Sequence, residues 1–328
     1  MSNDKSLLKV RNLKIHFPVS GSFFSKPKVV HAVDDVSFEV KKGTTFGLVG
    51  ESGSGKTTTA MGIMRLTHIT SGKVEMDGLD ITATDEAGMR ELRRRLQIIF
   101  QDPYSSLNPR VRAGNIVREA LDLLNIGDKA KRNEAVARLF HNVGLRPEQQ
   151  ILFPHQFSGG QRQRIGIARA LAAQPDLIVC DEPVSALDVA IQAQILNLLR
   201  RLQNKMGLTY LFISHDLGVV QYMCDEIAVM YLGRIIEMAD RISLFKTPLH
   251  PYTKALLSAV PSAKITDTVY SGIKLKGDPS SPIDLPPGCR FQPRCQFAGE
   301  ICKREEPRLE KTDGGHQIAC HLFREIPV

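Results

Sequence analysis

Residues 50–57 carry glycines at a fixed spacing before a lysine and a threonine, in the order Gly50-Glu51-Ser52-Gly53-Ser54-Gly55-Lys56-Thr57. Glycines at these positions let backbone N–H groups turn inward around phosphate oxygens, and a helix that follows adds its positive N-terminal end. Lys56 would place a charge beside the β- and γ-phosphates of a nucleotide, and the Thr57 hydroxyl would bind Mg²⁺. On its own, this loop predicts binding of MgATP or MgGTP.

Two adjacent carboxylates, Asp181 and Glu182, follow the apolar stretch 177–180, which is typical of a buried strand. Ligands of α/β sheets bind at the carboxyl ends of the strands. Asp181 would hold Mg²⁺ through water, and Glu182 would polarise the attacking water as a general base. The alternative is that both carboxylates cap the next turn, and the phosphate loop upstream favours the chemical role.

A second anion site is indicated where Ser158-Gly159-Gly160-Gln161 opens a helix. Serine is a good N-cap, and the first N–H groups of a helix have no partner within it. Together with the helix dipole they would attract phosphate. A plain capped helix is the alternative reading of the same residues.

Strands and helices must position these residues, and they alternate along the chain. The patterns predict strands over 7–17, 29–40, 45–49, 177–180, 210–214 and 226–231, and helices over 56–66, 115–124, 132–143, 158–173 and 191–204. Such alternation indicates an α/β fold with a mostly parallel sheet that is covered on both faces.

Six motifs in this order resemble those of the ABC ATPases, and the resemblance covers most of residues 5–245. Residues 50–58 resemble Walker A, 157–161 the signature sequence, and 177–182 Walker B with its catalytic glutamate. Gln101 resembles the Q-loop glutamine, 185–188 the D-loop and His215 the switch histidine. One departure is Phe157, where the family most often has leucine, and an apolar residue there should change little.

The resemblance implies a P-loop NTPase (RecA-like) core with an antiparallel β subdomain and an α-helical subdomain at about 102–170. It implies that Glu182, His215 and Gln101 are catalytic and that Thr57, Gln101 and Asp181 hold Mg²⁺. The ATP-binding residues would be Gly50, Glu51, Ser52, Gly53, Ser54, Gly55, Lys56, Thr57, Thr58, Ser158, Gly159, Gly160, Gln161, Asp181 and Asp188. Because the chain has one copy of each motif, a second ATPase subunit is expected to complete the site.

Residues 100–110 and 247–253 resemble the oligopeptide and dipeptide importer branch of the family. That branch implies a second ATPase subunit, identical or paralogous, two transmembrane permease subunits and an extracytoplasmic solute-binding protein. The chain would then lie at the cytoplasmic face of the bacterial inner membrane. Nickel, opine and glutathione importers share the branch, so the solute stays open. The alternatives are a soluble ABC ATPase in translation or DNA repair and an inactive regulatory subunit, and Glu182 and His215 argue against the second.

From about residue 247, Pro, Gly, Cys and charged residues dominate and long periodic segments are missing. This change in composition predicts an ATPase domain over 1–246 and an extension over 247–328. Cys289, Cys295, Cys302 and Cys320 lie in this extension with the spacing C-x₅-C-x₆-C-x₁₇-C. Four thiolates suit zinc or an iron–sulfur cluster, and the tight C-x₂₋₄-C pairs of structural zinc sites are missing. Similar extensions of peptide-importer ATPases hold a [4Fe–4S] cluster in some members. Zinc and no metal at all remain the alternatives.

The composition argues against a nucleic-acid-binding protein and against a membrane-spanning one. The chain has 328 residues, 42% of them hydrophobic, and a net charge of +8, yet it lacks the interleaved aromatic residues of a nucleic-acid-binding stripe. We therefore expect no nucleic acid partner. No apolar run reaches the length of a membrane-spanning helix, and the polar residues at the N-terminus do not suit a signal peptide. The sequence does not identify which aromatic residue stacks on adenine, and the candidates are Phe23, Phe24 and His31.

Overall fold

The computed structural model describes residues 5–19, 28–259, 277–278 and 280–326. The strands are β1 Ser6–Val19, β2 Lys28–Lys41, β3 Thr45–Val49, β4 Ser71–Met76, β5 Leu79–Asp80, β6 Leu96–Ile99, β7 Leu177–Asp181, β8 Thr209–Ser214, β9 Glu226–Tyr231, β10 Arg234–Asp240, β11 Glu310–Lys311 and β12 Gln317–Ile318. The helices are α1 Lys56–Ile63, α2 Glu86–Arg95, α3 Ala113–Leu123, α4 Lys129–Asn142, α5 Gly159–Ala172, α6 Val189–Met206, α7 Leu217–Met223, α8 Arg241–Lys246, α9 Pro251–Ser258 and α10 Glu300–Arg304. Phe23 and Phe24 lie outside the described residues.

The chain divides into two compact units, and the first consists mainly of residues 83–213. Strands β6, β7 and β8 pair in parallel, with Leu96 opposite Leu177 and Leu177 opposite Thr209. Every residue of β7 is buried, as expected for a parallel strand covered on both faces. Helix α5 packs against α3, α4 and α6 and buries Ile165, among others. This unit therefore contains the predicted helices between residues 102 and 170.

The second unit contains residues 6–40, 45–82 and 214–326 of the described chain. One of its sheets has the order β2-β1-β4-β5, and β4 pairs antiparallel with both β1 and β5. In the other sheet β3 and β9 are parallel, while β10, β12 and β11 continue from β9 in antiparallel fashion. Strand β12 thus attaches the C-terminal part of the chain to the edge of β10.

Helices α1 and α9 are among the elements that differ from the sequence-based expectation. Helix α1 ends at Ile63 instead of residue 66, and Arg65 then adopts a left-handed conformation with φ 51°. Helix α9 occurs where no periodic segment is expected, because its eight residues are too few to show a pattern. His250 caps α9 through its side chain, and Pro251 stands at the first helical position. Among the described residues, no helix has both the length and the apolarity to cross a membrane.

A buried arginine joins the C-terminal segment to the first strands of the second unit. Arg290 is 6% exposed, and its guanidinium donates to Glu306 Oε1 at 2.7 Å, to the Leu232 carbonyl at 2.6 Å and to Asp34. Arg234 and Lys14 also lie near the Asp34 carboxylate, at 3.5 and 3.8 Å. Burial opposes ionisation of Asp34, but the arginine and lysine charges outweigh it and lower the pKa to about 2.

This carboxylate makes the stability of the fold sensitive to acid. Because the pKa of Asp34 is lowered on folding from 3.8 to about 2, its contribution is complete above the unfolded value and is lost as the pH falls towards 2. We expect the difference in unfolding free energy between wild type and Asp34→Asn to shrink by about 2 kcal/mol between pH 5 and pH 2. Urea unfolding at both pH values measures it. Asp284→Asn, at a carboxylate that is 70% exposed, is the control and should show no comparable change.

Candidate active site

The loop between β3 and α1 turns through glycines in conformations that other residues rarely adopt. Gly50 and Gly55 adopt φ angles of 152° and 104°, which favour glycine. A Cβ atom at Gly50 would lie 2.3 Å from the Met230 carbonyl oxygen, and one at Gly55 would lie 2.3 Å from that of Ala32. The two glycines are therefore needed for space as well as conformation.

Lys56 begins helix α1 and points back along this loop. Its ammonium group donates to the carbonyl oxygens of Gly50 and Glu51, both at 2.8 Å, and the residue is 4% exposed. A buried ammonium that contacts polar atoms of a Gly-rich loop, among them the Ser54 hydroxyl at 3.4 Å, is well placed to exchange them for phosphate oxygens. The structure thus brings Lys56 together with the loop residues predicted with it.

Gln101 and Glu182 meet at the carboxyl ends of two neighbouring parallel strands in the first unit. Ile99 of β6 lies opposite Cys180 of β7, so the residues that follow each strand emerge side by side. The Gln101 amide donates to Glu182 Oε2 at 3.0 Å. Glu182 has a φ of 45°, a conformation that is strained for a glutamate. Asp181, the last residue of β7, is 4% exposed. This arrangement sets a carboxylate beside an amide at the ligand-binding edge of the sheet.

Ser158 caps helix α5 as the sequence predicts. Its hydroxyl accepts from the Gln161 N–H at 3.3 Å, and the Gln161 side-chain oxygen accepts from the Ser158 N–H at 3.0 Å. Asp188 likewise caps α6 by accepting from Ile191 N–H at 3.0 Å. Ser158 therefore has the capping role that the sequence allowed as the alternative, and Asp188 caps its own helix as well. A capped helix end still directs N–H groups and a positive dipole outward, so capping and anion binding are compatible.

The glycines of helix α5 allow a test of how closely the signature segment packs. A Cβ atom at Gly160 would lie 2.5 Å from Ile191 Cγ2. One at Gly166 of the same helix would meet no heavy atom of the described residues within 4 Å, its chain neighbours and the adjoining helix backbone aside. We expect Gly160→Ala to destabilise the protein by about 1–3 kcal/mol through overpacking against α6. Gly166→Ala is the matched control, and should be neutral or stabilise by about 0.5–1 kcal/mol. Urea denaturation distinguishes them, and equal effects would contradict the packing argument.

His215 follows β8 directly and belongs to the second unit. His31, the remaining candidate for adenine stacking, packs edge-on against His16 with ring centroids 4.4 Å apart. Burial, followed by the neighbouring His16, lowers the pKa of His31 and favours its neutral form. A neutral imidazole can stack on a base, so this candidate stays a prediction.

All four cysteines of the C-terminal segment line one small cavity of about 10 Å³, together with Phe291 and Phe297. Burial raises the pKa of Cys289 to about 12 and that of Cys320 to about 11. Neighbouring cysteines raise both values further, since thiolates repel one another. The structure thus brings the four cysteines predicted from the sequence to one place.

Two residues near the phosphate loop were not found from the sequence. Arg294 donates twice to the Glu51 carboxylate, and the Tyr252 hydroxyl accepts from the Glu51 N–H at 2.9 Å. Both lie about 200 residues or more from Glu51 in the chain, and no spacing rule relates such positions. The sequence pointed to one of them only indirectly, because Arg294 directly precedes Cys295 of the predicted cysteine cluster.

Comparison with known proteins identifies the family. Residues 33–185 match the model of the ABC transporter family, and residues 236–302 match the C-terminal region of oligopeptide/dipeptide transporters. The oligopeptide transport ATP-binding protein AppF of Bacillus subtilis (strain 168) is 47% identical over 98% of this chain and 99% of its own length. The chain belongs to the oligopeptide ABC transporter ATP-binding proteins. It is therefore an ATPase of the ABC type, and the resemblance drawn from its six motifs is confirmed.

Two further relatives also have names that describe ATP-binding proteins of peptide transport. The probable peptide ABC transporter ATP-binding protein y4tS of Sinorhizobium fredii (strain NBRC 101917 / NGR234) is 48% identical over 97% of this chain and 90% of that protein. The putative oligopeptide transport ATP-binding protein YkfD of Bacillus subtilis (strain 168) is 47% identical over 97% of this chain and 96% of that protein. These names do not favour the alternative of a soluble ABC ATPase in translation or DNA repair.

Solved structures confirm the ABC ATPase fold. The dimeric post-hydrolysis structure of the ATP-binding cassette MJ0796, bound to ADP and Pi, matches with a TM-score of 0.64 and 27% identity. The match covers 71% of this chain and 98% of the MJ0796 chain. CbiO1 from Clostridium perfringens, part of the transporter complex cbiONQ, matches with a TM-score of 0.63 and 25% identity over 74% of this chain and 91% of that one. The mixed α/β cassette predicted from the sequence is thus the fold of this protein.

Proposed function

We propose that this chain powers the import of di- or oligopeptides, or a related solute, by hydrolysing ATP as one of two ATPase subunits. The observation that carries the chemistry is the Gln101–Glu182 hydrogen bond of 3.0 Å at the edge of the parallel strands. A carboxylate fixed by an amide at this edge suits a general base for water. The names of the relatives, oligopeptide and peptide transport ATP-binding proteins, support peptides as the solute class.

Each motif residue receives the role that its chemistry implies. Residues 50–58 surround the phosphates with N–H groups, and Lys56 neutralises the β- and γ-phosphates. Thr57, Gln101 and Asp181 supply the oxygen ligands that Mg²⁺ prefers, and that ion would draw charge from the phosphates when bound. Glu182 polarises the attacking water, and His215 holds the γ-phosphate and that water.

The signature segment acts on the nucleotide of a second ATPase subunit. Ser158, Gly159, Gly160 and Gln161 present helix-terminal N–H groups, and Asp188 lies in the adjoining D-loop. ATP then joins the two subunits because its γ-phosphate adds contacts in the closed pair, and hydrolysis releases them. We propose a paralogous second subunit, two transmembrane permeases and an extracytoplasmic solute-binding protein as partners. The chain then acts at the cytoplasmic face of the bacterial inner membrane.

Reconstitution tests this function. The chain is combined with its permeases, second ATPase and binding protein in proteoliposomes, and ATP-dependent uptake of labelled di- and oligopeptides is measured. We expect uptake with wild type and none with Glu182→Gln. ATP turnover without uptake of any peptide or related solute would overturn the importer assignment while leaving the ATPase chemistry intact.

We also propose that Cys289, Cys295, Cys302 and Cys320 hold a [4Fe–4S] cluster. The four side chains converge on one small cavity, and this convergence supports a shared inorganic centre. The spacing along the chain lacks the tight C-x₂₋₄-C pairs of structural zinc sites, which favours a multi-iron cluster over one zinc ion. Such a cluster would cross-link a segment with few long helices or strands of its own.

Anaerobic purification tests the cluster. We expect a brown protein with broad visible absorbance and about four iron atoms per chain, and loss of both in Cys302→Ser. Cys224→Ser, at a buried cysteine outside the cluster, is the control and should retain iron. Colourless protein that contains zinc or no metal would contradict the proposal.

A further inference from the structure

The second residue of the phosphate loop is a carboxylate, and the C-terminal segment holds it in place. Arg294 donates from Nη1 to Glu51 Oε2 at 2.8 Å and from Nη2 to Oε1 at 3.1 Å. The Arg294 side chain is 5% exposed and that of Glu51 is 26% exposed. Two parallel bonds between a guanidinium and a carboxylate fix distance and orientation together. The contact therefore holds the Glu51 side chain in one geometry.

The backbone of Glu51 is held by the same part of the chain. Its N–H donates to the hydroxyl of Tyr252, which is fully buried. The Tyr252 ring packs edge-on against Tyr231 and Phe291, with centroids 4.8 and 5.5 Å away. Phe291 and Arg294 lie between Cys289 and Cys295, so the turn that carries them is anchored at both ends by the cysteine cavity.

A carboxylate in this position opposes the function of the loop. The loop binds the several negative charges of a triphosphate, and a like charge in a partly buried setting is screened little by salt. Arg294 offsets the Glu51 charge and turns the carboxylate towards itself. The backbone N–H groups and Lys56 then determine the electrostatic potential at the position where a phosphate would bind.

We propose that Arg294 is a positioning residue for the nucleotide site. It holds and neutralises Glu51, so that the phosphate loop binds ATP with full affinity, and it makes the cysteine-rich segment part of the nucleotide site. The proposal rests on the proposed function, since it requires residues 50–57 to bind ATP. It goes beyond that function because it gives the C-terminal extension a measurable effect on nucleotide affinity.

A double-mutant cycle tests the charge argument. The dissociation constant of MgATP is measured by calorimetry on the full chain as wild type, Arg294→Gln, Glu51→Gln and the double variant. We expect Arg294→Gln to weaken binding by about tenfold or more, as loss of a charged bidentate contact implies. We expect the double variant to bind ATP more tightly than Arg294→Gln, because the uncompensated carboxylate is gone. Arg304→Gln, at a side chain that is 77% exposed, is the matched control and should bind as wild type.

The outcomes separate this inference from the function on which it rests. If wild type does not bind MgATP, the proposed function fails. If wild type binds and Arg294→Gln binds equally well, the positioning role is wrong. Weak binding by Arg294→Gln without recovery in the double variant would overturn charge compensation and leave only a packing role. Should Arg294→Gln not fold by circular dichroism, Arg294→Met serves instead, since it removes the charge and keeps much of the side-chain volume. Unchanged affinity in Arg294→Met would then contradict the proposal.

Discussion

Glu182→Gln is expected to lower ATP turnover by about 10²–10⁴-fold while ATP binding is retained. An amide keeps the shape and the partner of the carboxylate, since Gln101 lies 3.0 Å away, but it cannot take a proton from water. The strained φ of 45° at residue 182 indicates that the side chain is held in place at an energetic cost, as functional residues often are. Phosphate release by the reconstituted complex measures turnover.

The same variant should accumulate the ATP-bound pair of subunits. Because hydrolysis is needed to release the closed pair, Glu182→Gln with MgATP should elute with its partner subunit, while wild type should separate. Glu148→Gln, at an exposed glutamate in the same unit, is the control and should turn over ATP as wild type does. Turnover near the wild-type rate in Glu182→Gln would show that another group activates the water.

The chemistry of this site was predictable because each motif is local. Glycines at 50 and 55, a serine before 159 and an acidic pair after an apolar strand all act through the backbone within a few residues. Strand β3 agrees with its predicted bounds, and the other predicted strands and helices occur with ends shifted by a few residues. The pairing of Gln101 with Glu182 follows in turn, since two neighbouring parallel strands end together.

What the sequence did not predict depends on distant residues. The contacts of Arg290 with Asp34 and of Arg294 with Glu51 join positions more than 240 residues apart, and a charged residue has many possible partners at that distance. Helix α9 was missed because eight residues do not establish a period. The cysteine spacing predicted a shared site but could not show that Phe291 and Arg294 between two of them reach the phosphate loop.

Lys56→Ala is expected to weaken ATP binding by roughly 100-fold, the effect of losing charge-assisted bonds of about 1.5–3 kcal/mol. Its ammonium donates to two carbonyls of the loop at 2.8 Å and is almost fully buried. In the bound state we expect phosphate oxygens to take the place of these carbonyls. Calorimetric titration with MgATP measures the loss, and Lys42→Ala, at an exposed lysine, is the control. Binding within a few-fold of wild type would show that the loop does not hold the triphosphate.

Lys56 and Arg294 should weaken binding for different physical reasons, and Glu51→Gln separates them. Lys56 contacts Glu51 through the backbone carbonyl, which the substitution leaves in place, whereas Arg294 contacts the carboxylate that the substitution neutralises. Added to Lys56→Ala, Glu51→Gln should therefore restore less affinity than when added to Arg294→Gln. Equal recovery in both backgrounds would mean that Glu51 acts as a general negative potential and not through its pairing with Arg294. Unequal recovery assigns the direct phosphate contact to Lys56 and the compensation of the loop's own charge to the C-terminal segment.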